Sequence, residues 1–320
     1  MSNKVNLDSI SWNITNYCLS NCKYCQLWNG ERWDIDNELT LNEIEKNFLS
    51  DPALNNLKTL HLTGGSPYLS PRFIKITELI SRHLPNVSVN SPLEGLFPRL
   101  YERIFFRVQK YLPQYRVDIA LEGADKKTHE SIRPGSWESL WDTKRRLSDL
   151  GINLQFEMTI YPENYQQIED VWNMADGKLY INFGRYSYRF GNQKNGVMPQ
   201  SEEFIEVVEE QLKKIGWLKL RPWNQQKWDL QKAMYQGKKV RWDCQYGLKA
   251  VDVDPVGNVF QCLMYPGKPS GSLKRSSLGT ILSSRSHDYN LHKVKLKKCQ
   301  PGLGCPFTCA LYISGIHIGD

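Results

Sequence analysis

No apolar run in the 320-residue chain approaches the length of a membrane span, and the opening residues M-S-N-K-V-N-L-D-S-I hold no segment long enough for a signal peptide. A soluble cytoplasmic protein is the expectation. No G-x-G-x-x-G phosphate loop occurs, which removes the dinucleotide-binding reading. The formal charge of +7 falls short of a nucleic-acid footprint. Its basic residues sit in short clusters, Lys144-Arg145-Arg146, Lys238-Lys239-Arg241 and Lys293, Lys295, Lys297, Lys298, which read as solvated surface. The balance suits an acidic peptide or a phosphorylated substrate. Cysteine is missing from the whole stretch between Cys25 and Cys244. Eight cysteines gathered toward the two ends of an apparently unexported chain read as metal ligands, because a reducing compartment disfavours disulfides.

The chain is 40% hydrophobic and 23% charged, inside the globular range, and leaves enough apolar material for a sizeable core. One large α/β domain with a small appendage is expected at this length. The stretch that organises the rest is N-Y-C-L-S-N-C-K-Y-C-Q-L-W, residues 16–28, where Cys18, Cys22 and Cys25 form a C-x-x-x-C-x-x-C array. An iron–sulfur cube normally takes four thiolates. Three close cysteines would hold three irons and leave the fourth open, and an open metal position means chemistry. A zinc site lacking its histidine, or unrelated buried thiols, are the other readings of three cysteines.

This spacing, with Tyr24 just before the third cysteine, resembles the radical S-adenosylmethionine (radical SAM) superfamily. The resemblance implies a [4Fe–4S] cluster on Cys18, Cys22 and Cys25, with SAM chelating the open iron. It also implies reductive cleavage of SAM to a 5′-deoxyadenosyl radical that abstracts a substrate hydrogen. The implied fold is a partial (β/α)6 TIM-like barrel.

Taken in order, residues 9–15 alternate as a first strand that delivers the cysteine loop from its C-terminal end, where α/β folds keep their chemistry. Thr40 to Glu43 has capping-box form and opens a helix to about Leu49. A second strand, Leu57 to Leu62, runs into Thr63-Gly64-Gly65-Ser66-Pro67, and Ser70-Pro71 reads as the next helix start. The resemblance places a G-G-E-P motif here that contacts the SAM amino group, so Gly64, Gly65, Ser66 and Pro67 are candidate cofactor residues, with Ser66 standing where Glu is usual. A third strand near Val87 to Asn90 precedes a helix from about Leu96 to Tyr111, and a fourth spans Tyr115 to Leu121. It ends in a stretch similar to the family's S-x-D-G and h-x-x-I-R-G patterns. That similarity implies that Arg133 binds the SAM carboxylate, with Glu122 at the ribose or methionine. His129 reads as a plain helix residue.

Trp137 to Leu150 forms the following helix, capped at Gly151. Residues 152–160 alternate as a strand whose Asn153, Gln155, Glu157 and Thr159 share a face. Gln155 or Glu157 could line a site there, or the face could simply be solvated. Asn164 occupies a place where the resemblance implies an adenosine contact. Lys178 to Tyr186 is the sixth strand. A helix follows at Ser201 to Ile215, and the tryptophans at 217, 223, 228 and 242 read as packing.

The second cysteine region opens at Cys244, continues through a β-hairpin turning at Pro255 to Asn258 to Cys262, and closes with Cys299, Cys305 and Cys309. It resembles the SPASM/twitch tail of radical SAM enzymes, with Leu296 where a further cysteine would stand. Five cysteines complete one four-thiolate cluster but not two, so one auxiliary [4Fe–4S] cluster is implied; a zinc ribbon is the structural alternative. The expected division is a radical SAM core over 1–200, a helical insert over 201–243 and the auxiliary-cluster domain over 244–320. The chain opens almost directly on its first strand, so no separate peptide-recognition domain is expected before it, and peptide and small polar substrates balance. An electron donor such as a flavodoxin or ferredoxin is implied as partner. A metal-binding interaction protein derived from the family, without catalysis, is the alternative in another functional class.

Overall fold

The computed structural model describes residues 5–25, 35–183, 201–236, 238, 240–262, 268–296 and 313–318. Six strands alternate with helices: β1 (Ser9–Thr15), β2 (Thr59–Gly64), β3 (Ser88–Leu93), β4 (Arg116–Ala120), β5 (Asn153–Ile160) and β6 (Leu179–Phe183). Each pairs in parallel with the next. Parallel neighbours need a crossover, and the intervening helices supply it: α1 (Leu41–Glu43, continued by a π-helical turn Ile44–Leu49), α2 (Phe73–His83), α3 (Pro98–Val108), α4 (Lys126–Ile132) with α5 (Trp137–Asp149), and α6 (Ile168–Met174). The capping box at the start of α1 forms as the sequence requires, with Glu43 N donating to Thr40 Oγ1 at 3.3 Å and Thr40 N to Glu43 Oε2 at 2.8 Å. The helix expected at Ser70-Pro71 begins instead at Phe73, because Pro67–Leu69 first takes a 3-10 turn.

Strand alternation sorts the sheet into two unlike faces. Ile10, Trp12 and Ile14 of β1, Leu60 and Leu62 of β2, Val117 and Ile119 of β4, and Phe156, Met158 and Ile160 of β5 are all buried in one core. Trp12 meets Phe48 edge-on with ring centroids 5.1 Å apart. Each such side chain contributes roughly 1.5–3 kcal/mol on leaving water. The alternate positions carry Asn13, His61, Asn90, Asp118, Glu157 and Asn182. A closed TIM barrel fills its interior with branched apolar residues; this inner face is polar.

In the region from 244 onward, β8 (Ala250–Val253) pairs in parallel with β1, and β9 (Asn258–Phe260) and β10 (Gly271–Ser272) extend the same sheet antiparallel. Among the described residues the sheet does not close on itself, and its order is β10-β9-β8-β1-β2-β3-β4-β5-β6. The expected hairpin turn is present, with Gly257 at φ +84°. β7 (Val240–Cys244) pairs with β11 (Ile313–Ile318) in a small second sheet that sets Cys244 opposite Ile313. Between β6 and β7 lie α7 (Glu202–Lys214), α8 (Trp217–Leu220) and α9 (Asn224–Tyr235), where Trp217 and Trp228 are buried as core. The remaining helices are α10 (Leu278–Leu282) and α11 (Arg285–Leu296). Among the described residues no helix is long and apolar enough to cross a membrane.

Candidate functional site

A cavity of about 190 Å³ opens at the C-terminal ends of β1 to β5. Cys18, Cys22 and Cys25 line it together with Gly64, Gly65, Glu94, Ala120, Glu122, Arg133 and Tyr161. The loop after β1 therefore brings all three thiols of the N-terminal array to one place.

Backbone contacts fix that loop at both ends. Gly65 N donates to Thr15 O at 2.7 Å and Ser66 N to Tyr17 O at 2.8 Å, so the ends of β1 and β2 are laced together just before the first cysteine. A Cβ at Gly64 would lie 2.2 Å from Thr15 O, and one at Gly65 would lie 2.3 Å from Tyr17 O. The glycines are thus required by the close approach of backbone to backbone, rather than by approach to a ligand. Farther on, Lys23 N donates to Ile132 O at 2.9 Å. Tyr24 stacks on Tyr161 with centroids 4.0 Å apart, and its hydroxyl donates to the Glu163 carboxylate at 2.7 Å. Lys23 pairs with the same carboxylate. Burial and the Glu163 charge both push the Tyr24 hydroxyl up, so it stays a donor.

Burial pushes the Cys18 thiol up to about 11, and the charges of Glu94, Cys22 and Cys25 add to this against the Ser20 amide. A thiol in such a place ionises in exchange for a cation. Among the described residues no group of three or more His, Cys, Asp or Glu has the geometry of a single-metal-ion site, while Cys18, Cys22 and Cys25 all line one cavity. Soft sulfur donors on a loop with room beside them suit iron–sulfur binding.

The opposite wall is held by charge. Arg133 Nε donates to Glu122 Oε1 at 2.9 Å, and its Nη1 reaches Cys22 Sγ at 3.5 Å. Burial opposes the guanidinium charge, but Cys22 and Glu122 outweigh it and raise the Arg133 pKa. Glu122 Oε2 accepts from Thr159 N at 2.9 Å, which ties β4 to β5 through this one carboxylate.

The expected cofactor residues divide. Gly64, Gly65, Glu122 and Arg133 line the cavity; Ser66, Pro67, Gln155 and Asn164 do not. Ser66 is fully buried and turns its hydroxyl to Glu94. Asn164, also fully buried, donates to Glu122 O and Thr159 O at 2.8 and 2.9 Å and accepts from Tyr161 N at 2.7 Å. Its amide nitrogen thus braces the end of β4 against the end of β5. Gln155 lies on β5 opposite Asp118, below the cavity rim.

Sequence reasoning missed Glu94, Tyr161 and the part played by His129. His129 is buried; its Nδ1 accepts from Glu122 N at 3.1 Å and its Nε2 meets Ser136 Oγ at 2.7 Å. Glu94 carried a legible signal. It follows a strand and precedes a glycine, the same strand-Glu-Gly pattern that marked Glu122-Gly123.

Of the C-terminal cysteines, Cys299, Cys305 and Cys309 lie outside the described residues. Cys244 ends β7 and Cys262 follows β9.

A family model described as the radical SAM superfamily matches residues 12–175. The chain is 23% identical over 285 residues to the antilisterial bacteriocin subtilosin biosynthesis protein AlbA of Bacillus subtilis (strain 168), covering 86% of this chain and 59% of that protein. It is 25% identical over 210 residues to the sporulation killing factor maturation protein SkfB of the same organism, covering 64% and 48%. The chain thus spans about half to three-fifths of the length of these curated relatives. Its fold is similar to that of Streptococcus suis SuiB bound to S-adenosylmethionine, with a TM-score of 0.66 at 12% identity over 95% of this chain and 73% of that one.

Proposed function

Because the chain belongs to the radical SAM superfamily, through a match that takes in residues 12–175, we propose that it is an enzyme whose Cys18, Cys22 and Cys25 hold a [4Fe–4S] cluster with one iron left for S-adenosylmethionine. The observation that carries this reading is the convergence of three thiols, the Glu122–Arg133 pair and the stacked Tyr24 and Tyr161 on one cavity. When bound, cluster and SAM supply a 5′-deoxyadenosyl radical able to take hydrogen from an unactivated C–H bond. The chain's own residues bind, orient and seal. Arg133 offers its remaining donors to a carboxylate, a task that suits a planar fork. Glu122 and Asn164 hold the β4 and β5 ends at fixed separation. The aromatic pair closes one side of the cavity against water.

The substrate in this reading is a ribosomally made peptide. Two relatives are named for bacteriocin biosynthesis and for killing-factor maturation, and the net charge of +7 suits an acidic peptide. The polar inner face, with Asp118, Glu157 and Asn182 beneath the cavity, offers hydrogen bonds to peptide groups. A reducing partner such as a flavodoxin or ferredoxin would supply the electron.

Anaerobic reconstitution followed by reduction with SAM is expected to release 5′-deoxyadenosine, and Cys22→Ala to abolish that release. An intact cluster that leaves SAM uncleaved would overturn the enzymatic reading. Iron analysis separates about four irons per chain for the loop alone from about eight if the tail cysteines hold an auxiliary cluster. A mass change in a precursor peptide encoded beside the gene, absent with Cys22→Ala, tests the substrate class.

A further inference from the structure

Position 66 is a serine where the resemblance calls for a carboxylate, yet a carboxylate stands beside it in the cavity. Glu94, one residue beyond β3, lines the wall together with Cys18, Gly64 and Gly65. It is 7% exposed. Ser66 Oγ donates to its Oε1 at 2.7 Å, and Tyr101 Oη donates to the same oxygen at 2.6 Å. Burial and the nearby Glu94 charge push the Tyr101 hydroxyl up, which keeps it protonated as a donor.

Both hydroxyls are neutral and both hold Oε1, leaving Oε2 for a further donor. Among the described residues no Lys, Arg or His forms an ion pair with Glu94, whereas Glu122 across the cavity has Arg133. A buried carboxylate without a cation is costly. It lines the same cavity as Cys18, where a cationic ligand group would relieve the cost.

We propose that Glu94 receives the α-ammonium group of S-adenosylmethionine, and that Ser66 holds the carboxylate in place for it. The contact that the G-G-E-P pattern assigns to the loop after β2 is then made from just beyond the end of β3. Arg133 and Glu94, both on the cavity wall, offer opposite charges to the carboxylate and the ammonium of one amino acid. This inference rests on the reading of the cavity as a SAM site.

The test is equilibrium binding of S-adenosylhomocysteine and its deaminated analogue to reconstituted protein. Wild type is expected to prefer the amino compound by roughly tenfold or more, the worth of a charge-assisted hydrogen bond. Glu94→Gln is expected to lose that preference while binding the deaminated analogue as wild type does. Ser66→Ala, which leaves the carboxylate but loosens it, is expected to lose part of the preference and provides a milder variant should Glu94→Gln fold poorly. Equal weakening of both compounds by Glu94→Gln, or discrimination that survives it, would overturn the assignment. Failure of wild type to bind either compound would instead overturn the SAM reading of the cavity.

Discussion

Arg133 donates through Nε to Glu122 Oε1 at 2.9 Å, and the same guanidinium reaches the Cys22 sulfur through Nη1 at 3.5 Å. One side chain therefore joins the wall built by β4 to the cysteine loop built by β1. Lysine would keep the charge but could not span both partners, because an ammonium is a point charge without a fork. Arg133→Lys is expected to fold and take up iron, and to bind S-adenosylmethionine roughly tenfold to a hundredfold more weakly in equilibrium dialysis. Wild-type affinity in this variant would show that the fork is not used.

Gly65→Ala tests the lacing of β1 to β2. The added Cβ would lie 2.3 Å from Tyr17 O and 2.6 Å from Tyr17 C, and backbone atoms cannot move aside as a side-chain end can. The two strand ends must part, and with them the bonds from Gly65 N to Thr15 O and from Ser66 N to Tyr17 O. Iron uptake on reconstitution is expected to fall to less than about half, with a melting temperature several degrees lower. Gly151→Ala is the control. Its φ is positive, +73°, but a Cβ there meets nothing within 4 Å, so the change should cost stability and spare iron.

His129 predicts a pH dependence. Its burial, helped by the Arg133 charge, lowers its pKa to about 3. The folded protein thus keeps the ring neutral between about pH 6.5 and 3, whereas the unfolded chain binds a proton there. Stability is fully present above about pH 6.5 and is lost as the pH falls toward 3. Replacing His129 by Asn, whose side-chain oxygen can still accept from Glu122 N, should remove about one proton from that slope, about 1.4 kcal/mol per pH unit. Denaturant titrations from pH 4 to 8 measure it. His61 and His287 are also lowered by burial, so a residual slope should remain in the variant.

Much of this organisation could be read from the chain because period and punctuation were local. The alternation in residues 152–160 placed β5, found at Asn153–Ile160, and Gly151 at φ +73° ended the helix before it. The three cysteines and Arg133 stood in patterns short enough to recognise. Glu94 was harder to read, since its partner Ser66 stands 28 positions before it, and the bonds of His129 to Glu122 N and Ser136 Oγ form only once the chain folds back on itself after β4. The bracing bonds of Asn164 to Glu122 O, Thr159 O and Tyr161 N were likewise hidden, because they appear only once β4 and β5 are side by side. The parallel pairing of Ser9 with Ala250 was not legible either, because it is a non-local choice that no window of sequence reports.

Glu157 offers the opposite pH signature. It sits on the inner face of β5, opposite Ala120 and Tyr180 on the flanking strands, and accepts from Asn182 Nδ2. Burial, then the charges of Asp118 and Glu122, raise its carboxyl to about 7, while Arg133 and Lys227 pull the other way. The folded protein therefore holds a proton that the unfolded chain releases near pH 4.5, so stability falls as the pH rises from there through about 7. Glutamine cannot ionise and escapes that loss. Glu157→Gln is expected to match wild type at pH 4 and to exceed it in thermal stability at pH 8. A variant less stable than wild type at pH 8 would mean that the carboxylate is ionised and held by a cation in the folded chain, and that the polar inner face is neutralised before any substrate arrives.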